Sequence, residues 1–451
     1  MEAMRASPRA SGARRVLATK RGRPDGASAN TARKLQRREV AAGPGRALSP
    51  SFRRERFRDI QLQEEFDTHD PVEKSFFLLS HLRERSQVAE IVEAHDIIFA
   101  LSHSGICTAL SRVTKQRICI LNGSPDEVIR SIFYNKGNNS LITVSVYASE
   151  EYKISSCRTT PIEYIRQAMP DAGFPLFKTE LLNDKSFVEV DDVNGKVMIY
   201  VDQDSTYKVF DWKNYTPLYT IPGTNIKQIK FCPGILVLIY ERKESYIQLE
   251  VLSIEDGKSL KSLKHLLHRT KRIEFMEQFD EKFFIKQEGE NLKILDTRDS
   301  NLVEVSSTKF VNPTNATFLE RLQLFMAFHG RSLSVWNFHG EPVTYFEDHV
   351  LQYPDCTRCL CITGNQDIVA SYCRADSDDP SDARSININE ILTGKSLAKI
   401  KASGLRRQKK TLEFQNTPSE ALMDVTALYY DEEHEEIYTG NSEGLVHMWS
   451  S

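Results

Sequence analysis

The 451-residue sequence lacks the motifs by which most enzymes and membrane proteins are identified. It contains no apolar run of about 18 residues, the length that a membrane-spanning helix needs. A Gly-rich phosphate loop, a nucleophile elbow and a metalloprotease signature are absent as well. We therefore expect a protein that is not an enzyme, uses no cofactor and has no membrane among its partners.

The eight cysteines do not form a paired framework. Most lie inside apolar, strand-like runs, which favours reduced thiols in the core of an intracellular protein over disulfides. Cys356, Cys359 and Cys361 have part of the spacing of a zinc site, with His349 and Cys373 nearby, but no second Cys-x-x-Cys pair follows. We therefore interpret these residues as core thiols and expect no metal.

The sequence also shows little of the apolar periodicity that helices have. It contains a repeat of strand-like segments instead. From Val188 onwards, an apolar run, a turn and a second apolar run are followed by a short segment that closes on an aromatic or aliphatic residue. Phe210, Leu252, Leu295 and Trp336 close four successive units and lie 41 to 43 residues apart. Four strands of about 5 residues with their turns need about 40 to 45 residues, the length of one β-propeller blade. Because such a unit cannot bury its own apolar face, several must stack into one body.

Apolar and β-branched runs within the repeats are typical of strands that are covered on both faces. Lys196–Val201 and Ile235–Tyr240 are examples. Gly195, Gly257 and Gly444 lie between such runs, where a hairpin turn needs a positive φ. The pattern therefore predicts strands joined by tight turns.

The end of the chain carries the clearest family resemblance. From Val425 to Trp449 it has an inner strand, a Tyr-Thr-Gly strand end, a Ser-Glu-Gly turn and a last strand that closes on Trp. This segment resembles the last blade of a WD-repeat β-propeller, as does the region around Trp336. Elsewhere Phe210 and Leu295 stand where the family has Trp, and no Gly-His pair opens the blades. The whole chain is similar to plant-type WD-like proteins described as transducin-like, and this resemblance implies a scaffold.

Two further units precede the repeat, from Val88 to Leu121 and from Val128 to Phe177. They bring the number of candidate blades to eight, or to seven if the two chain ends share one. The sequence thus predicts an all-β fold, a seven- or eight-bladed β-propeller that occupies residues 88–451 as a single domain.

Charge divides the chain into two parts. Residues 1–58 contain 16 Lys or Arg against 4 acidic residues, a net charge of +12, whereas the rest has 43 basic against 58 acidic residues, a net charge of −15. The first 50 residues contain almost no large apolar side chain, so they cannot bury enough surface to order themselves. We predict a disordered basic tail over residues 1–52 and a partly helical connector over residues 53–87.

Within the tail, Arg21, Gly22, Arg23 and Pro24 resemble an AT-hook. In that motif an extended backbone follows the narrow A·T minor groove and two Arg side chains enter it. The resemblance implies weak, salt-dependent contact with A·T-rich DNA. The basic clusters also fit a nuclear localisation signal or a solvated tail, and the composition fits an organelle transit peptide. We expect the nucleus, with the cytoplasm as the alternative.

The last repeat shows only three strands before Ser451. A propeller ring is closed by pairing strands from both chain ends, because an open sheet edge invites aggregation. Residues 59–63 of the connector are a candidate for the missing outer strand. The alternative is that they form an exposed linker.

Two closing segments resemble the motif with which some WD-repeat proteins dock on the adaptor of a cullin-type ubiquitin ligase. Phe210, Asp211 and Lys213 match its aromatic, acidic and basic positions, and Asp296 with Arg298 match the last two. The resemblance implies a Lys or Arg presented at the propeller rim for an ion pair, while the Asp fixes the turn by local hydrogen bonds. Structural need alone also explains an Asp at this position.

The sequence as a whole predicts a non-catalytic interaction scaffold or adaptor in the nucleus, with proteins as its partners. The first alternative is a substrate receptor of a cullin-type ubiquitin ligase. The second is a DNA-associated regulator that uses the AT-hook-like tail.

Overall fold

The computed structural model describes residues 39–40, 57–69, 76–180, 188–191, 194–201, 204–306, 312–346, 350–351, 357–374, 384–401 and 415–451. The predicted AT-hook residues Arg21, Gly22, Arg23 and Pro24 lie outside this range, as does most of the predicted disordered tail over residues 1–52.

The strands form eight sheets, which are the blades of a β-propeller. The predicted all-β fold is therefore confirmed, and the number of blades is eight. Strands are numbered in chain order, β1 being Glu39–Val40 and β2 Gln61–Asp67. In blades 1 to 7, four consecutive strands pair antiparallel in chain order. Blade 1 consists of β3 (Val88–Ala94), β4 (Ile97–Ser102), β5 (Cys107–Ser111) and β6 (Arg117–Ile120).

The next three blades follow the same order. Blade 2 consists of β7 (Glu127–Asn135), β8 (Ser140–Tyr147), β9 (Ile154–Pro161) and β10 (Phe174–Glu180), with β1 pairing parallel to β7 as a fifth strand. Blade 3 consists of β11 (Val188–Asp191), β12 (Lys196–Val201), β13 (Thr206–Asp211) and β14 (Pro217–Pro222). Blade 4 consists of β15 (Ile226–Cys232), β16 (Ile235–Tyr240), β17 (Tyr246–Ser253) and β18 (Ser259–Leu266).

The last four blades complete the ring. Blade 5 consists of β19 (Ile273–Phe279), β20 (Lys282–Gln287), β21 (Leu292–Asp296) and β22 (Leu302–Val305). Blade 6 consists of β23 (Asn315–Leu319), β24 (Leu324–His329), β25 (Ser332–Trp336) and β26 (Pro342–Phe346). Blade 7 consists of β27 (Leu360–Ile362), β28 (Ile368–Arg374), β29 (Arg384–Glu390) and β30 (Ser396–Lys401). Blade 8 takes β31 (Val425–Asp431), β32 (Glu436–Asn441) and β33 (Leu445–Ser450) from the end of the chain.

Helices are few and short in the described residues. They are α1 (Ser80–Arg83), α2 (Ile162–Arg166) and α3 (Pro418–Ala421), with 3-10 turns at Pro170–Ala172 and Thr357–Cys359. None of them is long and apolar enough to cross a membrane. Helix α1 lies in the predicted connector.

The ring is closed by a strand from the start of the chain. Strand β2 pairs antiparallel with β33 and completes blade 8, with Leu62 opposite Trp449. Leu62 is 2% exposed and packs with Phe57, Ile60 and Trp449 in one buried cluster. The segment is thus a closing strand rather than an exposed linker, and it begins two residues later than predicted.

The seven described cysteines are not joined in disulfides. Five of them are buried, in agreement with core thiols. Cys359 lies in a 3-10 turn and Cys361 in the adjoining strand β27. Cys356 and His349 lie outside the described residues.

Antiparallel pairing sends the turns of every blade to two opposite ends of the ring. We call face I the end with the turns that join first to second and third to fourth strands. Face II has the turns between second and third strands and the connections between blades. The first strand of each blade is innermost, as contacts among β3, β7, β27 and β31 show, so the first-to-second turns surround the central axis.

Candidate interaction face

The first-to-second turns on face I are strongly acidic. Where the structure describes them, they carry eight carboxylates against two cations, Lys136 and Arg321. The acidic residues are Asp96, Asp280, Glu281, Glu320, Asp367, Glu432, Glu433 and Glu435. We call this set the acidic ring. The carboxylates come from five consecutive blades, 5 to 8 and 1, so they lie on neighbouring turns at the mouth of the central axis although they are far apart in sequence.

Hydrogen bonds between neighbouring blades hold several of these turns in place. The backbone N–H of Gly234 donates to Asn194 Oδ1 at 2.8 Å, which joins blades 4 and 3. The backbone N–H of Arg321 donates to Gln366 Oε1 at 2.8 Å, which joins blades 6 and 7. The N–H of Gly364 in blade 7 donates to a carboxylate oxygen of blade 8. The mouth of the ring is therefore built on fixed turns.

The seam between blades 8 and 1 holds the donor groups of a possible cation site. One ligand atom each of Glu93, Asp431 and His434 lies within 4.8 Å of the others, and both carboxylate residues are buried. His434 Nδ1 lies 2.5 Å from Asp431 Oδ2. Across the same seam, Arg112 forms a bidentate pair with Glu436 at 2.6 and 2.8 Å. Within this cluster a hydrogen bond joins Asp431 to His434.

A cavity of about 390 Å³ opens between blades 5 and 6. Its lining combines amide, charged and apolar side chains: Lys282, Ile294, Asp296, Asn301, Val303, Gln323, Asn337, Phe338 and His339. The Phe338 ring packs against Phe284, Phe318 and Phe325 at centroid distances of 5.7, 5.6 and 6.0 Å. The cavity thus has an apolar wall anchored in the core and a polar rim on face I.

The charges at this rim are largely paired within blade 5. Asp296 accepts hydrogen bonds from Lys282 Nζ and from the backbone N–H of Arg298, the latter at 2.9 Å. The Arg298 guanidinium lies 3.3 Å from Asp296 and 3.8 Å from Glu281. Burial opposes ionisation of Asp296, but the bonds from Lys282 and Arg298 outweigh it and lower the pKa of this carboxyl to about 2. Arg298, a predicted docking cation, is therefore turned back onto its own blade.

Asp280, in the first-to-second turn of the same blade, behaves differently. Burial is the main cause that raises its pKa, to about 7. A hydrogen bond and the charge of Glu281 raise it further, as does the charge of Glu320, whereas Arg298 opposes the shift. The Asp280 carboxyl therefore ionises less readily than that of Asp296 on the same blade.

The predicted docking segment of blade 3 also reaches face I. Asp211 Oδ1 accepts hydrogen bonds from the backbone N–H groups of Lys213 and Asn214, at 2.8 and 3.4 Å. The Phe210 ring packs at a tilt against Phe177, with the ring centroids 4.6 Å apart, and Lys213 is exposed. The expected turn-fixing role of the Asp is seen in both segments. The structure does not bring them together, because they belong to blades 3 and 5.

A model of the family described as Domain of unknown function (DUF7899) matches residues 45–449. The chain belongs to this family. A search of curated proteins found no match. Because the matching model is not one of WD repeats, the WD-repeat resemblance is confirmed only at the level of the eight-bladed fold.

Two solved structures are similar to this member of the DUF7899 family. The computationally designed Ika8 protein shares 17% identity, covers 82% of this chain and 97% of its own, and has a TM-score of 0.49. BamB from Moraxella catarrhalis shares 12% identity, covers 87% of this chain and 98% of its own, and has a TM-score of 0.43.

Proposed function

We propose that this protein is a non-catalytic interaction scaffold that presents face I to a basic segment of a partner protein. The observation that carries the proposal is the acidic ring, in which eight carboxylates face two cations around the axis. A β-propeller is commonly a protein-interaction scaffold. Its turns can be specialised for binding while the sheets remain the rigid support.

Electrostatics favours a cationic partner. Charges of one sign that line a concave mouth reinforce one another and steer an oppositely charged segment to it. Side-chain entropy and solvent screening weaken single exposed ion pairs. The acidic ring offers several carboxylates at once on fixed turns. The binding free energy of a segment with several Lys or Arg residues is therefore larger than the sum for isolated surface ion pairs.

The test uses affinity purification and mass spectrometry to compare the partners that three full-length chains capture. One is the wild type, and one neutralises part of the ring through Asp367→Asn, Glu433→Gln and Glu435→Gln. The matched control neutralises three exposed carboxylates of face II, at positions 241, 288 and 443. We expect partners rich in basic segments to be lost only from the ring variant. Identical partners for the ring variant and the control would contradict the proposal.

Three more specific expectations remain predictions from the sequence. They are nuclear location, contact with A·T-rich DNA through Arg21 and Arg23, and docking on a cullin-type ligase adaptor through Phe210, Asp211 and Lys213. For the last, the exposed side chain of Lys213 on a turn fixed by Asp211 is the supporting geometry.

A further inference from the structure

We propose that Glu93, Asp431 and His434 bind a divalent transition-metal ion that joins blades 8 and 1. One ligand atom of each residue lies within 4.8 Å of the others. Two ligands of an ion that is bound at about 2.0 to 2.2 Å can be up to about 4.4 Å apart, so small side-chain shifts bring all three atoms to a common centre. This inference goes beyond the proposed function, because the ion would link two blades rather than bind a partner.

The fold directs both carboxylates into the same seam. Glu93 lies next to the end of β3, the innermost strand of blade 1, and Asp431 ends β31, the innermost strand of blade 8. Side chains two residues apart in a strand share a face. Ile91 and Tyr429, which lie two residues before these acids, pack in one core cluster. Glu93 and Asp431 therefore continue the contact between the two blades towards face I.

The burial of the two carboxylates favours a bound cation. Glu93 is 4% exposed and Asp431 is 1% exposed, and buried charges in proteins are paired or coordinate a metal. Glu93 has other interactions, but its Oε1 atom is buried and accepts no hydrogen bond. Arg112 lies at the same seam, where Glu436 holds its guanidinium in a bidentate pair. A divalent ion would offset the two negative charges that the seam brings together.

The donor atoms select the kind of ion. His434 supplies an imidazole nitrogen, which suits zinc and other transition metals, whereas Mg²⁺ and Ca²⁺ prefer oxygen ligands alone. The His434 side chain is 28% exposed, so an ion can enter from face I. Asp431 Oδ1 accepts hydrogen bonds from the backbone N–H groups of Glu433 and His434, at 2.9 and 3.3 Å, which orients the carboxylate. Three protein ligands leave a fourth position for water.

The first experiment titrates Zn²⁺ into the full-length protein after a chelator has removed bound metal and the affinity tag has been cleaved. Competition with a chromogenic chelator gives the Kd for Zn²⁺, and competition with Mg²⁺ gives the preference between the two ions. We expect Zn²⁺ to bind at least about 100-fold more tightly than Mg²⁺, because Mg²⁺ gains little from an imidazole. Zinc binding no tighter than magnesium binding, or no saturable binding, would overturn the inference.

Variants place the ion at this seam. His434→Gln removes the nitrogen donor, whereas Glu93→Gln and Asp431→Asn keep the shape of each acid. Each is expected to weaken zinc binding by more than the roughly 10- to 100-fold that the loss of an outer-shell partner costs. His339→Gln removes an exposed histidine on the same face and is expected to leave Kd unchanged. Thermal unfolding without zinc checks that each variant is folded. If His434→Gln and His339→Gln bind zinc alike, the seam is not the site.

A link between blades gives a second readout, which zinc bound elsewhere on the surface would not change. An ion that binds only the closed seam makes opening of the seam less favourable by a factor of 1 + [Zn²⁺]/Kd. At a zinc concentration of about 100 times Kd, hydrogen exchange of the β3 and β31 amides through this opening should therefore be slower by about 100-fold. The same zinc concentration should leave exchange in His434→Gln unchanged. Unchanged exchange in the wild type, or equal slowing in His434→Gln, would contradict the assignment.

Zinc binding and partner capture can fail separately, because the ring variant keeps all three proposed ligands. If the ring variant loses its partners but the wild type does not bind zinc, the scaffold function stands and the metal site falls. If zinc binds as expected but the ring variant keeps its partners, the seam is a metal site and the proposed use of face I is wrong.

Discussion

The closing strand β2 is held by a buried carboxylate whose removal should loosen the whole ring. Glu65 lies opposite His447 in the ladder between β2 and β33. Its side chain is 3% exposed and accepts hydrogen bonds from the backbone N–H groups of Gln415 and Asn416, at 2.7 and 3.0 Å, and one from His447 Nε2 at 3.2 Å. One carboxylate thus joins the start of the chain to two segments near its end.

Glu65→Ala removes every one of these acceptors. The exposed backbone donor of Gln415 and the half-buried one of Asn416 would lose a partner, as would the buried imidazole of His447, and a buried group left without a partner costs about 1 to 3 kcal/mol. Water can reach part of the site once the side chain is shortened, so the sum is smaller than three full penalties. We expect a loss of about 3 to 5 kcal/mol, the usual cost of breaking a buried polar pair.

Hydrogen exchange of the β2 amides, measured by mass spectrometry, reports the local opening of this strand. A loss of about 3 kcal/mol corresponds to exchange that is faster by about 100-fold. The matched control is Glu64→Gln on the same strand, whose carboxylate pairs with the half-exposed Lys115. Such an exposed pair contributes at most about 1 kcal/mol. If exchange in Glu65→Ala is within about threefold of the control, the strand is held by its backbone ladder alone and our reasoning is wrong.

Glu65 also predicts how the stability of strand β2 changes with pH. Burial tends to raise the pKa of Glu65, but the hydrogen bonds from His447, Gln415 and Asn416 outweigh it, so the pKa lies below the ordinary value of 4.5. A carboxyl with a depressed pKa in the folded state stabilises that state above its unfolded value and loses the contribution as pH falls through the folded value. The difference in protection between wild type and Glu65→Ala should therefore be full at pH 7 and shrink below pH 4.5.

Two further predictions concern contacts between blades, each measured by urea unfolding at pH 7. Lys230 and Glu277 form a buried ion pair between the inner strands of blades 4 and 5. Lys230→Met should lower the free energy of unfolding by about 3 to 5 kcal/mol, because it leaves the Glu277 charge buried alone. The double variant Lys230→Met with Glu277→Leu should lose clearly less, because no buried charge is then left alone. A double variant as unstable as the single one would refute this. A Cβ at Gly440 would lie 2.4 Å from Val88 Cβ across the seam of blades 8 and 1, so Gly440→Ala should cost about 1 to 3 kcal/mol or more. Gly289→Ala is the control, because a Cβ at Gly289 meets nothing within 4 Å. It should lower the free energy of unfolding by only about 1 kcal/mol, for its positive φ. Equal losses in Gly440→Ala and Gly289→Ala would show that the seam tolerates the added methyl group.

Local periodicity was sufficient to predict the fold. Strands such as Lys196–Val201 and Ile235–Tyr240 have the same bounds in the structure as in the apolar pattern. The pattern predicts these strands because neighbouring blades cover them on both faces. Residues on both faces are then buried, and the sequence of the strand is continuously apolar. The blade number was ambiguous between seven and eight because it depends on how the chain ends pair. That pairing involves Gln61–Asp67 and Leu445–Ser450, which no local pattern connects.

The candidate site was much less visible in the sequence. The turn-fixing role of Asp211 and Asp296 follows from residues that are neighbours in the chain, and it is seen. The acidic ring was missed because its members come from separate blades. An isolated pair such as Asp280 and Glu281 looks like any polar turn, and only the circular arrangement turns such pairs into one surface. The run from Glu432 to Glu435 was the one local signal that could have indicated it.

The junctions between neighbouring blades are held together in different ways at face I. Blades 6 and 7 are joined at face I by hydrogen bonds between turns, such as the one from Arg321 to Gln366, so a ligand that entered there would have to replace them. Between blades 5 and 6 the contact is carried by phenylalanines deeper in the core, where Phe279 and Phe325 stack at 5.6 Å and Phe284 meets Phe325 at 5.2 Å. Because aromatic packing secures this junction away from the turns, like charges can gather at its rim without opening the ring. A basic segment bound at face I, as we propose, would relieve their repulsion, so binding should stabilise this junction rather than strain it.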